Sequence, residues 1–242
     1  MKNLKLFALV LSLLIFSAFT SCVYVSHNGV KGNGNIIKKH IDVKDFTEVD
    51  ISGAYKIILT QGDKNDMVLE ADENLMKYLK VTNEGNELEV KVSKSINPSK
   101  TPRIYMTFKT LNSIELSGAC SISGANDMKF NELNLEASGA SKIALNMKAD
   151  KLKMELSGAS SVKLQGKADE VYISCSGAGT FSAEDFLINI CDIELSGAAN
   201  AKVYVTGTLG YEVNGASHLL YKGSPKITKS EVSGVSSAKA VN

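Results

Sequence analysis

Residues 152–164 read Leu152-Lys153-Met154-Glu155-Leu156-Ser157-Gly158-Ala159-Ser160-Ser161-Val162-Lys163-Leu164. Apolar and polar residues alternate on both sides of the Ser-Gly-Ala triplet, the period of a half-buried strand, so the stretch predicts two strands joined by a turn. The triplet recurs as Ser117-Gly118-Ala119, Ser138-Gly139-Ala140, Ser176-Gly177-Ala178 and Ser196-Gly197-Ala198, then decays to Asn214-Gly215-Ala216 and Ser233-Gly234-Val235. From Gly118 onward the glycines are 21, 19, 19, 20, 18 and 19 residues apart.

Registered on glycine, each repeat carries apolar residues four and two positions earlier, as in Ile114 and Leu116, Leu135 and Ala137, or Ile193 and Leu195. They resume four and six positions later, as in Ile143 and Leu145 or Val162 and Leu164. A second corner is expected eight residues before glycine, where Thr110, Asn131, Asp150, Asp169 and Asn189 are types that bond their own backbone in turns. Such strands cannot bury an apolar face alone, so the repeats must stack. The predicted fold is all-β: a single-domain parallel β-helix with about 19–20 residues per coil and layers about 4.8 Å apart. The right-handed form is favoured. Gly53, Gly118, Gly139, Gly158, Gly177, Gly197, Gly215 and Gly234 are assigned structural turns, where positive φ carries no steric cost for glycine.

The early Ser52-Gly53-Ala54 stands 65 residues before Gly118, about three repeat lengths, which predicts motif-free coils or a separate N-terminal element between them. Alternation predicts strands at 36–43, 48–60, 67–71, 88–92 and 104–108, with a turn at Asn83-Glu84-Gly85-Asn86. A short helix is expected over Asp72–Leu79, with Asp72 as its cap and Leu75, Met76 and Leu79 at helical spacing. This less regular part should begin the β-helix and shield its end.

The first residues predict the compartment. Lys2 and Lys5 precede an uncharged run from Leu6 to Phe19, the pattern of an export signal and shorter than a bilayer span. The run ends in Phe19-Thr20-Ser21-Cys22, a lipobox-like sequence that predicts lipidation of Cys22; ordinary cleavage near Thr20 is the alternative. The expected organisation is therefore 1–21 lipoprotein signal peptide, 22–34 tether, 35–110 irregular N-terminal β-rich part and 111–242 regular coils. An outer-membrane anchor is expected, on the periplasmic or the outer side. Cys120, Cys175 and Cys191 are odd in number and read as unpaired buried hydrophobes. Cys175 and Cys191 fall in columns four residues apart, beyond disulfide reach.

The stretch Asp45-Phe46-Thr47-Glu48-Val49-Asp50-Ile51-Ser52-Gly53-Ala54, then Ile57-Ile58-Leu59-Thr60-Gln61-Gly62-Asp63 and Glu70-Ala71-Asp72-Glu73-Asn74-Leu75, resembles the head GIN domain family of auto-transporter adhesins. Leu111-Asn112-Ser113-Ile114-Glu115-Leu116-Ser117-Gly118 and its later copies fit the same pattern, and the resemblance spans roughly Gly34 to Val241. It implies a β-helical fold and an envelope location. No catalytic or binding residue is carried over with it.

Little in the chain supports catalysis. His27, His40 and His218 are the only histidines and Arg103 the only arginine, too little for a histidine metal cluster or a Ser-His-Asp triad. Asp150 and Asp169 share a column on adjacent coils and are the one candidate carboxylate pair. They read better as corner residues, because Thr110, Asn131 and Asn189 hold the same column. A net charge of +1 without a basic run leaves no footprint for nucleic acid. The absence of Trp and an aromatic content of 7% weaken a stacked sugar site.

One outward column stands out. Three residues before the glycines lie Glu115, Glu136, Glu155, Glu194, Glu212 and Glu231, interrupted by Ser174 and preceded by Asp50. Carboxylates about 4.8 Å apart repel by roughly 1 kcal/mol per pair even in water, so compensation is expected. Lys153 and Lys229 in the same strands, or Lys142, Lys163 and Lys202 past the turn, are the simple candidates; a divalent cation or a basic partner along the ladder is the sharper one. The expected function is a non-catalytic, lipid-anchored envelope module for surface binding, adhesion or scaffolding, with no catalytic residue and no resident cofactor. Its partners would be the membrane, through the N-terminal lipid, and an envelope or extracellular glycan or protein, with oligomerisation left open. A polysaccharide-active β-helix lyase or hydrolase is the alternative.

Overall fold

The computed structural model describes residues 29–241. Its strands are β1 (Val30–Lys31), β2 (Ile36–Ile41), β3 (Glu48–Gly53), β4 (Lys56–Gln61), β5 (Asp66–Asp72), β6 (Leu79–Glu84), β7 (Glu87–Val92), β8 (Ile96–Asn97), β9 (Arg103–Phe108), β10 (Ser113–Gly118), β11 (Ser121–Gly124), β12 (Met128–Gly139), β13 (Lys142–Gly158), β14 (Ser161–Gly177), β15 (Thr180–Gly197), β16 (Asn200–Val213), β17 (His218–Lys222), β18 (Lys226–Val232) and β19 (Ser237–Ala240). Together they wind a parallel β-helix of about seven turns.

The alternation read from the sequence becomes the wall of the helix. In β13, Ile143, Leu145, Met147 and Ala149 point into the core, Asp150 and Lys151 are both exposed, and Leu152, Met154 and Leu156 point in again. Two successive outward residues turn the corner, at the column of Asp150 and Asp169. β13 pairs with β14 in parallel and in register from Lys142↔Ser161 to Gly158↔Gly177. Each large aliphatic side chain removed from water contributes roughly 1.5–3 kcal/mol, so every coil depends on its neighbours to finish burying its inner face.

The turn glycines are required twice over. All eight lie at positive φ, from 78° at Gly215 to 140° at Gly53. A Cβ on Gly158 would stand 2.5 Å from the carbonyl oxygen of Gly139, and one on Gly177 would stand 2.4 Å from that of Gly158. The motif alanine uses the same oxygen, since Ala159 N–H donates to Gly139 O at 2.8 Å and Ala178 N–H to Gly158 O at 2.9 Å. The corner thus combines a left-handed residue with backbone packing too close for any side chain.

The gap before Gly118 is filled in a way that counting repeat lengths misses. β3 and β10 pair directly, Gly53↔Gly118, and β4 pairs with β11, so the early motif stacks on the first regular coil. The intervening chain returns to the other side of the early coil, where β7 pairs in parallel with β3 and β9 with β4. That outermost rung is closed by antiparallel strands, β6 on β7 and β5 on β9, with β2 antiparallel to β5. The spatial order of coils therefore departs from the chain order only here.

Residues Glu73–Tyr78 form a 3-10 turn that places Leu75 in the core. Asp72 makes no capping bond to this turn. Its fully buried carboxylate accepts hydrogen bonds from Gly34 N–H at 2.7 Å and from Ser99 N–H at 2.9 Å and Oγ at 2.7 Å. The expected cap is thus a clasp joining two loops. It holds down the end of the expected tether, where β1 pairs with β8. At the opposite end of the helix, Ile227, Val232 and Val235 in the last rung are exposed.

Candidate functional site

Strand register gathers the acidic column into one ladder. Glu89↔Asp50, Asp50↔Glu115, Glu115↔Glu136, Glu136↔Glu155, Glu155↔Ser174, Ser174↔Glu194, Glu194↔Glu212 and Glu212↔Glu231 are successive parallel partners. Each of these residues is exposed or half-buried, and from Glu89 to Glu194 its immediate neighbours in the strand point inward, whereas Glu231 lies in the wholly exposed last strand of the ladder, β18. Glu89 was missed because no glycine motif marks its strand; only pairing with β3 brings it into line. Beside the ladder run the motif serines Ser52, Ser117, Ser138, Ser157, Ser176 and Ser196. A shallow groove lined by Glu115, Glu136, Glu155, Ser138, Ser157 and Ser174 follows the middle rungs, and at Ser174 the missing carboxylate leaves a gap in the ladder.

Compensation is unequal along the face. Lys91 meets Glu89 at 2.6 Å, Lys153 meets Glu155 at 2.7 Å, and Lys229 lies against Glu212 and 4.0 Å from Glu231. Tyr172 donates its hydroxyl to Glu194 at 3.1 Å. Of the lysines past the turn, Lys202 pairs with Glu184 at 3.7 Å, and neither Lys142 nor Lys163 enters an ion pair among the described residues. Asp50, Glu115 and Glu136 form a stretch without an ion pair among the described residues. Burial, and then the Asp50, Glu136 and Glu87 carboxylates, push the Glu115 carboxyl above its ordinary value. Burial and Glu89 likewise push Asp50 up, against the opposing pull of the Ser52 hydroxyl and Lys91.

The other candidates remain scattered. Asp150 and Asp169 occupy the exposed corner column, beside the Lys151–Glu170 ion pair at 3.3 Å. His40 is exposed near Asp66 at 3.4 Å, His218 is bonded to Ser237 at 2.9 Å, and Arg103 pairs with Glu70 at 2.9 Å in the cap. Among the described residues, no three His, Cys, Asp or Glu side chains come together as a metal site. Cys120, Cys175 and Cys191 are buried and free, and burial pushes the Cys191 thiol up to about 12. Cys22 and His27 lie outside the described residues, among which no helix is long and apolar enough to cross a membrane.

The family described as "Putative auto-transporter adhesin, head GIN domain" matches residues 45–225. A crystal structure of a "putative adhesin" from Bacteroides fragilis NCTC 9343 superposes with a TM-score of 0.84 at 25% identity, covering 88% of this chain and 100% of that one. A "putative lipid binding protein" from Parabacteroides distasonis ATCC 8503 superposes at 0.67 with 22% identity, over 88% of this chain and 99% of that one. A second P. distasonis structure, a "putative adhesin", superposes at 0.70 with 20% identity, over 88% of this chain and 100% of that one. No curated protein matches the chain.

Proposed function

The chain belongs to the head GIN domain family of auto-transporter adhesins, and on that premise we propose that it is a non-catalytic envelope lipoprotein whose β-helix presents a binding face. Tethered through Cys22, it offers the acid-and-serine face to a partner bearing positive charge or hydroxyls. The observation that carries this reading is the register of the ladder. A carboxylate on every rung but that of Ser174, flanked by a motif serine on most rungs, makes a long repetitive surface suited to an extended ligand rather than a pocket suited to one reacting bond. The unpaired stretch at Asp50, Glu115 and Glu136 is where a cationic ligand would gain most, since like charges there already repel.

The test immobilises the mature chain and challenges it with basic proteins and envelope polysaccharides, scoring retention and release of cleaved product together. Retention without cleavage, lost in Glu115→Gln/Glu136→Gln, is the expected result. Cleavage of any polysaccharide would remove the non-catalytic reading. Labelled palmitate incorporated by wild type and not by Cys22→Ser tests the tether separately.

A further inference from the structure

We infer that the N-terminal cap of the β-helix carries a membrane-docking surface, built from Lys31, Lys77, Tyr78, Lys94 and Lys100, that seats on anionic phospholipid headgroups. The inference deepens the lipoprotein reading and rests on it, because it supplies an orientation to a protein tethered at Cys22.

The tether is short and its landing point is fixed. Seven residues, Cys22 to Asn28, precede the described chain, and at full extension they span at most about 25 Å. The next residues are bound to the cap. Val30 N–H donates to Ser95 O and Gly32 N–H to Asn97 O, both at 2.9 Å, Asn74 Nδ2 donates to Lys31 O at 2.8 Å, and the Asp72 clasp follows at Gly34. A lipid on Cys22 therefore keeps the cap within that distance of a bilayer, whichever way the coils are turned.

The surface beside the landing point has the chemistry of an anionic interface. The 3-10 turn buries Leu75 and exposes Lys77. The Nζ atoms of Lys77 and Lys94 lie 5.2 and 5.9 Å from the centre of the Tyr78 ring, so the half-buried aromatic gathers two ammonium groups. Ser93 N–H bonds Tyr78 O and Ser95 O accepts from Val30, which sets Lys94 between the ring and the landing strand. Lys31 is in that strand and Lys100 follows the clasp residue Ser99. All four lysines are exposed, and none enters an ion pair among the described residues. Of the nearby acids, Asp72 is consumed by the clasp and Glu73 accepts from Asn35 at 2.8 Å. Glu84 and Glu87 flank the β6–β7 turn, five residues along the hairpin from the Leu79↔Val92 pair, or about 17 Å away. Lysines beside a membrane each add attraction to anionic lipid, and tyrosine settles at headgroup depth.

The test uses the mature chain coupled through Cys22 to a maleimide lipid, which is selective because the other three cysteines are buried. Vesicles of phosphatidylcholine alone are compared with vesicles that also contain phosphatidylglycerol, and lysine labelling by an amine reagent is read by mass spectrometry. Labelling at Lys31, Lys77, Lys94 and Lys100 should fall about fivefold on the anionic vesicles and recover at high salt, while labelling at Lys129, Lys148 and Lys167 on the regular coils stays constant. Uncoupled Cys22→Ser protein carrying Lys77→Ala/Lys94→Ala should partition onto the anionic vesicles about thirtyfold less than Cys22→Ser alone. Equal labelling of the cap lysines on both vesicles, or protection of the Lys129 group in their place, overturns the docking surface. The chemical anchor replaces the natural one, so a failed palmitate experiment would overturn lipidation while leaving this result readable.

Discussion

From Lys142 to Gly197 each coil repeats the last, with parallel partners across Gly158↔Gly177 and Gly177↔Gly197 and a single register shift between Lys163 and Gln165. The cap is assembled from segments distant in the chain, Ile36 opposite Asp72 and Leu69 opposite Ile104, running antiparallel. Both regions satisfy the same demand, that every buried strand edge find a backbone partner. The coils meet it by repetition, so glycine recurs at the same corner of each. The cap ends the repetition and meets it with individual contacts, of which the Asp72 clasp is the clearest. Damage to a corner should therefore spread through the stack, and damage to the clasp should stay local.

The largest expected effect is at a corner. Gly158→Val places a β-branched residue at φ 80° with its Cβ 2.5 Å from a backbone oxygen. Neither problem can be relieved by a side-chain rotation, and we expect a loss of at least about 3 kcal/mol, read from a denaturant melt. Gly34 in the cap provides the contrast, at φ 81° with nothing within 4 Å of a built Cβ. Gly34→Ala should cost only the conformational strain, about 1–2 kcal/mol. Equal stability of Gly158→Val and wild type would mean that the corner does not require glycine.

Next in size is the clasp. Asp72→Asn keeps the shape but weakens acceptance from Gly34 and Ser99, and a loss of about 1–3 kcal/mol is expected. Amide exchange should speed up over Gly29–Asn35 and leave Lys142–Gly197 unchanged; uniform acceleration would show the cap and coils to be one cooperative unit. Burial would raise the Asp72 carboxyl, yet the hydrogen bonds from the Ser99 hydroxyl and the Gly34 and Ser99 amides outweigh it and hold it below its ordinary value. A carboxyl depressed in the fold stabilises above its unfolded pKa, and that contribution disappears as pH falls through the folded value. Wild type should therefore lose cap protection in acid, and Asp72→Asn should not show that acid step.

The same contrast explains what could be read from the residues alone. The stacked fold, the eight corner glycines and most of the ladder follow from offsets to a single motif, because identical corners demand identical residues. Glu89 and Lys91 lack that marker, and their place depends on the non-sequential pairing of β7 with β3. Asp72 looked like a helix cap because Asp before a helical spacing usually is one; its burial by Gly34 and Ser99 is a contact between distant loops that no local pattern records. The lysine surface around Tyr78 was equally hidden, since its members come from four separate segments of the cap.

The smallest expected effect separates two neighbouring parts of the ladder. Glu115 has no cationic partner among the described residues, and burial together with Asp50, Glu136 and Glu87 raises its carboxyl. A carboxyl raised in the fold gives stability that is complete below its unfolded pKa and is lost as pH rises through the folded value. Near neutral pH the Glu115 charge is therefore a net cost, and Glu115→Gln should stabilise slightly, within about 0.5 kcal/mol as befits a surface position. At a pH below the carboxylate range, the difference from wild type should vanish. Glu155, two rungs further on, is held by Lys153 at 2.7 Å, so Glu155→Gln should shift the midpoint slightly the other way. Midpoints measured in the same denaturant series at both pH values decide the matter. If Glu115→Gln and Glu155→Gln move together, the ladder is evenly solvated, and the unpaired stretch loses its claim to be where a cationic partner binds.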